Sequence, residues 1–135
     1  MTRRVKGWEK ALNAVIEKHR ALPSKYGISD CWLIANDAVE AVIGVRMFPG
    51  VTYTSEMGAA KELRSRGFKT VADAFEEIFE PIPPSLAQRG DIGVVESGGQ
   101  LCGGFISSVG FVTRNDNEVM ILDVLSIKTA YKVGR

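Results

Sequence analysis

Residues 26–33 read Tyr-Gly-Ile-Ser-Asp-Cys-Trp-Leu, and this stretch decides how the whole chain is interpreted. It closes a turn-rich connection and opens an apolar run that reaches as far as Gly44. Ser29 and Asp30 are favourable N-cap residues, and glycine is favoured just after the end of a helix. The pattern therefore predicts a helix from Cys31 to Ile43 with a cysteine in its first turn.

A cysteine at the start of a buried helix has a physical reason to be reactive. The unsatisfied N–H groups and the positive end of the helix dipole stabilise the thiolate of Cys31 over the thiol. Asp30 acts in the opposite sense, unless its carboxylate is occupied in capping. Most free cysteines are small buried hydrophobic residues, so catalysis and packing both stay open for Cys31.

Three further helices are predicted from hydrophobic spacing and from their start and stop residues. One ends before Pro23 and has His19 in its last turn, another covers residues 55–66, and a short one follows Thr70. Their inner faces are predicted to be Trp8, Leu12, Val15, Ile16 and His19 in the first, Met57, Ala60 and Leu63 in the second, and Val71, Phe75, Ile78 and Phe79 in the third.

After Gly90 the pattern changes to short β-rich runs separated by turn residues. The predicted strands are residues 91–96, 101–106, 109–113, 118–124 and 128–133. Asp91 stands at the turn into the first of them and is expected to cap backbone amides. Helices followed by an antiparallel strand meander predict an α+β fold with the helices packed on the sheet. The chain of 135 residues is expected to be a single domain, with a helical half at about 4–80 and a strand half at about 91–133.

Composition excludes several classes of function. Lysine and arginine number 17 against 16 acidic residues, so the net charge of +1 argues against nucleic acid as a partner. The basic N-terminus lacks the apolar stretch of a secretion signal, and no membrane span is expected. The two cysteines, Cys31 and Cys102, have no metal-ligand spacing, so we expect no metal and no cofactor. A bridge between them stays open, because separation along the chain does not fix distance.

The order of elements resembles that of a known enzyme branch. Residues 26–33 ahead of a helix, followed by a proline-rich link and by Arg-Gly-Asp-Ile-Gly-Val-Val at 89–95 with a hairpin, are similar to the NlpC-type papain-like cysteine peptidases. Within that branch the chain looks most like a compact phage-associated family of unknown function. Members of that family also open with a tryptophan-bearing helix and end in a sequence like Tyr-Lys-Val-Gly at 131–134.

The resemblance implies roles for individual residues. Cys31 takes the nucleophile position, Leu101 stands where the catalytic histidine is expected, and Thr113 lies near the third catalytic position. Asp30 and Trp32 are expected to flank the substrate cleft. Leucine cannot accept a proton, so the group that activates the nucleophile in Cys–His peptidases is missing at Leu101.

His19 is the single histidine of the chain. It shares the apolar stripe of the first predicted helix, which makes it either a substitute base for Cys31 or a structural residue at a helix C-terminus. The structural role is the stronger hypothesis, because a histidine there bonds free carbonyl groups and interacts favourably with the helix dipole.

Two functions follow as expectations. The first is a phage tail-associated structural or docking protein of the tail tip or hub region, a pseudoenzyme with a degenerate peptidase fold. It would be made in the host cytoplasm, reside in the virion, and bind other tail proteins or copies of itself. The alternative is an active cysteine amidase or endopeptidase that cleaves peptidoglycan peptides during phage entry.

Overall fold

A computed structural model describes residues 3–135 of the chain. Within these residues the helices are α1 Trp8–Arg20, α2 Cys31–Ile43, α3 Glu56–Ser65 and α4 Val71–Ile78. The strands are β1 Pro81–Ile82, β2 Ile92–Ser97, β3 Gln100–Ser107, β4 Gly110–Arg114, β5 Val119–Leu122 and β6 Thr129–Tyr131. Helices precede the main strands, so the predicted α+β class is confirmed. None of the helices between residues 3 and 135 has the length and apolar character needed to cross a membrane.

The six strands form one antiparallel sheet in the order β1-β6-β2-β3-β4-β5. Strands β2 to β5 form the predicted meander. The prediction fails at the last strand, because β6 does not extend the meander beyond β5 but returns to pair with β2. The two-residue strand β1, which was not predicted, pairs with β6 at that edge. Alternation of apolar and polar residues predicts that a run is extended, but it does not specify which edge of a sheet the strand joins.

Helix α2 is the central element of the core. It packs against both α1 and β3. Its predicted bounds are confirmed, and it ends at Gly44, which adopts the left-handed conformation with φ 74°. Buried positions occur on nearly all of its faces: Trp32, Ile34, Ala35, Asn36, Asp37, Ala38, Val39, Val42 and Ile43. A helix of this kind cannot shift without opening the core, so its first residue is held in a fixed place.

Two predicted inner faces need correction. Met57 in α3 is 67% exposed, and none of the residues of that helix is buried. Ile78 in α4 is 44% exposed, although Val71 and Phe75 of the same helix are buried as predicted. Helical spacing identifies residues that share a face, but it does not show whether another element covers that face.

Asp91 joins the two ends of the described chain. Its carboxylate is fully buried and accepts hydrogen bonds from the backbone N–H of Gln88 at 2.8 Å and of Val133 at 3.0 Å. The guanidinium groups of Arg4 and Arg135 approach the same carboxylate at 3.0 and 2.6 Å. The expected capping of backbone amides by Asp91 is therefore confirmed, and the carboxylate also binds two cations.

We expect Asp91→Ala to lower the free energy of unfolding by about 3–5 kcal/mol, because it leaves charged and polar partners without an acceptor. The measurement is chemical denaturation followed by circular dichroism. Asp116→Ala, in the exposed β4–β5 turn, is the matched control and should change the free energy by less than about 0.5 kcal/mol. Equal losses in the two variants would show that the Asp91 cluster does not stabilise the fold.

Candidate functional site

A cleft of about 520 Å³ opens where the start of α2 meets β3 and α3. Asp30, Cys31, Trp32 and Leu101 all lie in its wall, as do Tyr53 and Cys102. The fold therefore brings four of the predicted site residues to one place. Thr113 and His19 are fully buried and lie outside the residues that line the cleft.

Asp30 is the N-cap of α2, as predicted. Its carboxylate accepts hydrogen bonds from the backbone N–H of Trp32 at 3.0 Å and of Leu33 at 2.9 Å. It also accepts one from the N–H of Gly27 at 3.0 Å and one from the hydroxyl of Tyr53 at 2.8 Å. The carboxylate is fully engaged in holding the segment before Cys31 and the aromatic ring across the cleft.

Trp32 lines the cleft, but it does so from within the core. Its side chain is 3% exposed and stacks on the ring of Tyr53, with centroids 5.7 Å apart and planes inclined by 10°. Tyr53 is half-buried, so it presents the outer ring of this stacked pair. Trp32 therefore shapes the cleft wall by supporting Tyr53.

Cys31 lies against the first half of β3. Only residues 105–107 of β3 pair with β4 among the residues described, so the earlier part of the strand has a free edge on that side. There the backbone of Gly103 packs against the first turn of α2, and the thiols of Cys31 and Cys102 lie close enough for each to shift the pKa of the other. Both cysteines are free thiols, so the bridge that the sequence left open is not formed.

The close approach of α2 and β3 depends on Gly103. A Cβ atom at this position would lie 2.9 Å from the carbonyl oxygen of Cys31 and 3.0 Å from the ring of Phe75. Such distances require one of the elements to move away. The register between β2 and β3 is uninterrupted, so Gly103 marks a close approach of two backbones and not a bulge.

The pKa values of the two thiols are shifted in opposite directions. The hydrogen bond to Cys102, followed by burial, raises the pKa of Cys31 well above its ordinary value. The hydrogen bond from Cys31 lowers the pKa of Cys102 to about 7. The helix-start argument, which favoured a thiolate at Cys31, is therefore corrected. Burial and the hydrogen bond to Cys102 outweigh the positive end of the helix, and the thiolate is expected on the less buried Cys102.

Leu101 lines the cleft together with Cys31, whereas Thr113 is buried and lies outside the lining residues. Leu101 is half-buried and packs against the main core, and the next residue, Cys102, is the one that shifts the pKa of Cys31. The hydroxyl of Thr113 donates to the carbonyl oxygen of Gly103 at 2.7 Å. Thr113 thus stabilises the free part of β3 behind the cleft. The correspondence of Leu101 to the catalytic histidine of NlpC-type peptidases stays a prediction.

His19 is fully buried and has both ring nitrogens engaged. Nδ1 lies 2.6 Å from Ser29 Oγ, and Nε2 lies 2.7 Å from Asp37 Oδ2. The imidazole therefore has no nitrogen left for the thiol of Cys31. The ring is held by two side chains and not by the free carbonyl groups expected at the helix end. The role of His19 as a substitute base stays a prediction that this geometry does not support.

Ser29, His19 and Asp37 form a chain of contacts like that of a hydrolase triad. Ser29 is 1% exposed, however, and Arg114 donates a hydrogen bond to its oxygen, so no substrate reaches the hydroxyl. Arg114 also donates to the carbonyl oxygens of His19 at 2.9 Å and Leu22 at 3.2 Å. The network ties the end of α1 and the end of β4 to the segment that precedes Cys31.

Asp37 completes the network from within α2. Burial raises the pKa of this carboxyl, but hydrogen bonds from His19, Lys18 and Arg46 outweigh burial and hold the pKa below its ordinary value. The Lys18 and Arg46 contacts measure 2.9 and 2.7 Å. Residues of this network come from separate elements, and their sequence spacing gave no indication that they would meet.

The acidity of Cys102 is testable by alkylation. In the wild type, the rate at which iodoacetamide modifies Cys102 should rise with pH through a midpoint of about 7. Cys31→Ala removes the hydrogen-bond donor, so the midpoint should move up toward the ordinary cysteine value of about 8.5. Cys31→Ser keeps a donor and should move the midpoint less. Modified residues are identified by peptide mass spectrometry. Identical midpoints in the wild type and Cys31→Ala would contradict the assigned hydrogen bond.

These observations define an α+β domain with a cleft built around a thiol pair at the start of a buried helix. Residues 3–133 match the model of a family described as a domain of unknown function, DUF6950, and the chain belongs to that family. No curated protein matches the sequence, and no solved structure does.

Proposed function

We propose that the domain is a non-hydrolytic docking module with a degenerate NlpC-type cysteine-peptidase fold, and that it is a structural protein of a phage tail. One observation carries the proposal: the nucleophile position, Cys31, faces a second thiol and not an imidazole. The resemblance of residues 26–33 and 89–95 to NlpC-type peptidases supports the fold assignment. The phage location is supported by the same resemblance.

The thiol pair is poorly suited to hydrolysis of an amide. A cysteine peptidase needs a nucleophilic thiolate and an acid that delivers a proton to the leaving nitrogen. The raised pKa of Cys31 keeps that thiol protonated, so the group at the helix start is a weak nucleophile. His19, the residue best suited to proton transfer, is held by Ser29 and Asp37.

The cleft is suited to binding. Its volume of about 520 Å³ falls within the range of about 300–1,000 Å³ typical of ligand sites. Its wall combines the half-buried ring of Tyr53 with Ala60 and Leu63 from α3, and Lys69 adds a charge. The wall thus mixes apolar side chains with charged and polar ones, a combination that fits a short segment of another protein chain. In the proposed setting the partner is another tail protein or a second copy of this chain.

An active peptidoglycan amidase is the alternative function, and one observation favours it. Cys102 has a pKa of about 7 and lies in the cleft wall, so a thiolate is present at neutral pH. In that case Cys102 would be the nucleophile in place of Cys31. A test with both cysteines therefore separates the two functions.

We expect the purified wild-type protein to release no product from cross-linked muropeptides, because its thiol pair lacks a group that protonates the leaving amine. Muropeptides are separated by liquid chromatography and identified by mass spectrometry. Cys31→Ala and Cys102→Ala should give the same profile as the wild type, with an active NlpC-type enzyme as the positive control. Turnover that disappears in either alanine variant would establish the amidase and refute the docking proposal.

The docking proposal also predicts an effect on assembly. Ala60→Trp fills the cleft from α3 and should lower the number of copies in purified tail particles at least about tenfold. Lys61→Trp adds the same ring to an exposed neighbouring position that does not line the cleft, and it should leave the number unchanged. Copies are counted by quantitative mass spectrometry against a major tail protein. Absence of the wild type from particles, or equal incorporation of both variants, would refute the proposal.

A further inference from the structure

Two cysteines that are distant in the sequence meet in the cleft wall. Cys31 begins α2, and Cys102 lies on β3 next to Gly103, whose backbone packs against the carbonyl group of Cys31. Both residues line the cleft and both are partly exposed. Packing alone does not require two thiols at this point, since any pair of small apolar residues would fill the space. The juxtaposition at an accessible surface is the arrangement of a redox pair.

We propose that Cys31 and Cys102 form a reversible dithiol–disulfide site that reacts with small disulfides such as glutathione disulfide. The resulting bridge would link the start of α2 to β3 in the wall of the cleft. The proposal does not rest on the docking function, because the chemistry belongs to the folded chain whatever binds in the cleft.

The reaction proceeds by two thiol–disulfide exchanges. The thiolate of Cys102 attacks one sulfur of glutathione disulfide, which forms a mixed disulfide and releases one glutathione thiolate. The Cys31 thiol then loses its proton to solvent and attacks the Cys102 sulfur, which forms the Cys31–Cys102 bond and releases the second glutathione. The protein loses two protons and two electrons, and the glutathione disulfide takes up both to become two thiols.

The surroundings of the two thiols indicate which one attacks glutathione disulfide first. Both thiols are partly exposed, and Cys102 carries the lower pKa, so it is the more ionised group. The pKa of Cys31 is raised, so this thiol reacts best with a sulfur already beside it. Cys102 is therefore the attacking thiol and Cys31 the resolving thiol.

The approach of β3 to α2 makes the second exchange effectively intramolecular. Because Gly103 has no side chain, the strand lies directly against the first turn of α2. Two thiols held in contact have a far higher effective concentration than two thiols separated by a flexible chain. Folding raises the effective concentration of the two thiols and so favours the bridge. By thermodynamic linkage, the bridge must stabilise the folded state by the same factor.

The test equilibrates the wild-type protein with mixtures of reduced and oxidised glutathione, and then blocks the remaining thiols with N-ethylmaleimide. Intact mass spectrometry distinguishes an internal disulfide, which loses two hydrogens, from a glutathione adduct. The folded protein should form the internal disulfide with an effective concentration at least about tenfold above that of the same chain in urea. A stable glutathione adduct as the main product, or an effective concentration no higher than in urea, would overturn the proposal.

Matched serine variants test the assigned order. Cys31→Ser should accumulate the mixed disulfide of Cys102 with glutathione, because the resolving thiol is missing. Cys102→Ser should react with glutathione disulfide at least about tenfold more slowly, because the pKa of its remaining thiol is raised and little thiolate is present. Equal rates for the two variants would overturn the order. Thermal unfolding of each variant confirms that it is folded, and the wild-type comparison with urea does not depend on either variant.

Discussion

The close contact between the first turn of α2 and the free edge of β3 is the constraint on which the site depends. Gly103 permits it, because any side chain there would strike the Cys31 carbonyl or the ring of Phe75. The contact brings the thiols of Cys31 and Cys102 together, and their shared hydrogen bond separates their acidities. One glycine on a strand thus determines which cysteine is ionised in the cleft.

The segment before Cys31 is held by polar groups, some of which also line the cleft. Asp30 caps α2 and binds Tyr53, whereas Ser29 is fixed by His19 and Arg114. The contacts of Asp30, Ser29 and His19 each join a donor to an acceptor, and such paired contacts stabilise a fold. Arg114 Nε is buried and has no partner among the described residues. Both ring nitrogens of His19, the single histidine, are bound in this network. The network that positions Cys31 therefore also occupies the residue best suited to activate it.

Local features of the fold could be predicted from the sequence because short-range chemistry determines them. Asp30 and Gly44 mark the ends of α2, and both act as the sequence indicates. Partners across the fold could not be predicted, because periodicity carries no information on register or on which edges meet. The return of β6 to β2 and the meeting of His19, Ser29 and Asp37 are of this second kind.

The role of Cys102 could be predicted from the sequence only in part. Cys102 directly follows Leu101 and directly precedes two glycines. The alignment with the peptidase pattern nevertheless drew attention to Leu101 alone. The helix-dipole argument for Cys31 was sound for an isolated helix and failed because a second thiol and burial act more strongly at the same sulfur. Reactivity at a helix start therefore depends on what the opposing strand presents.

The two proposals concern different properties of one cleft and support each other without depending on each other. A phage tail protein would be assembled in a reducing cytoplasm and would act in an oxidising exterior, where disulfides persist. A thiol pair that no longer serves hydrolysis would there be free to form a bridge between α2 and β3. Because that bridge would lie in the wall of the proposed docking cleft, its formation after assembly would stabilise the cleft in the shape that holds its partner.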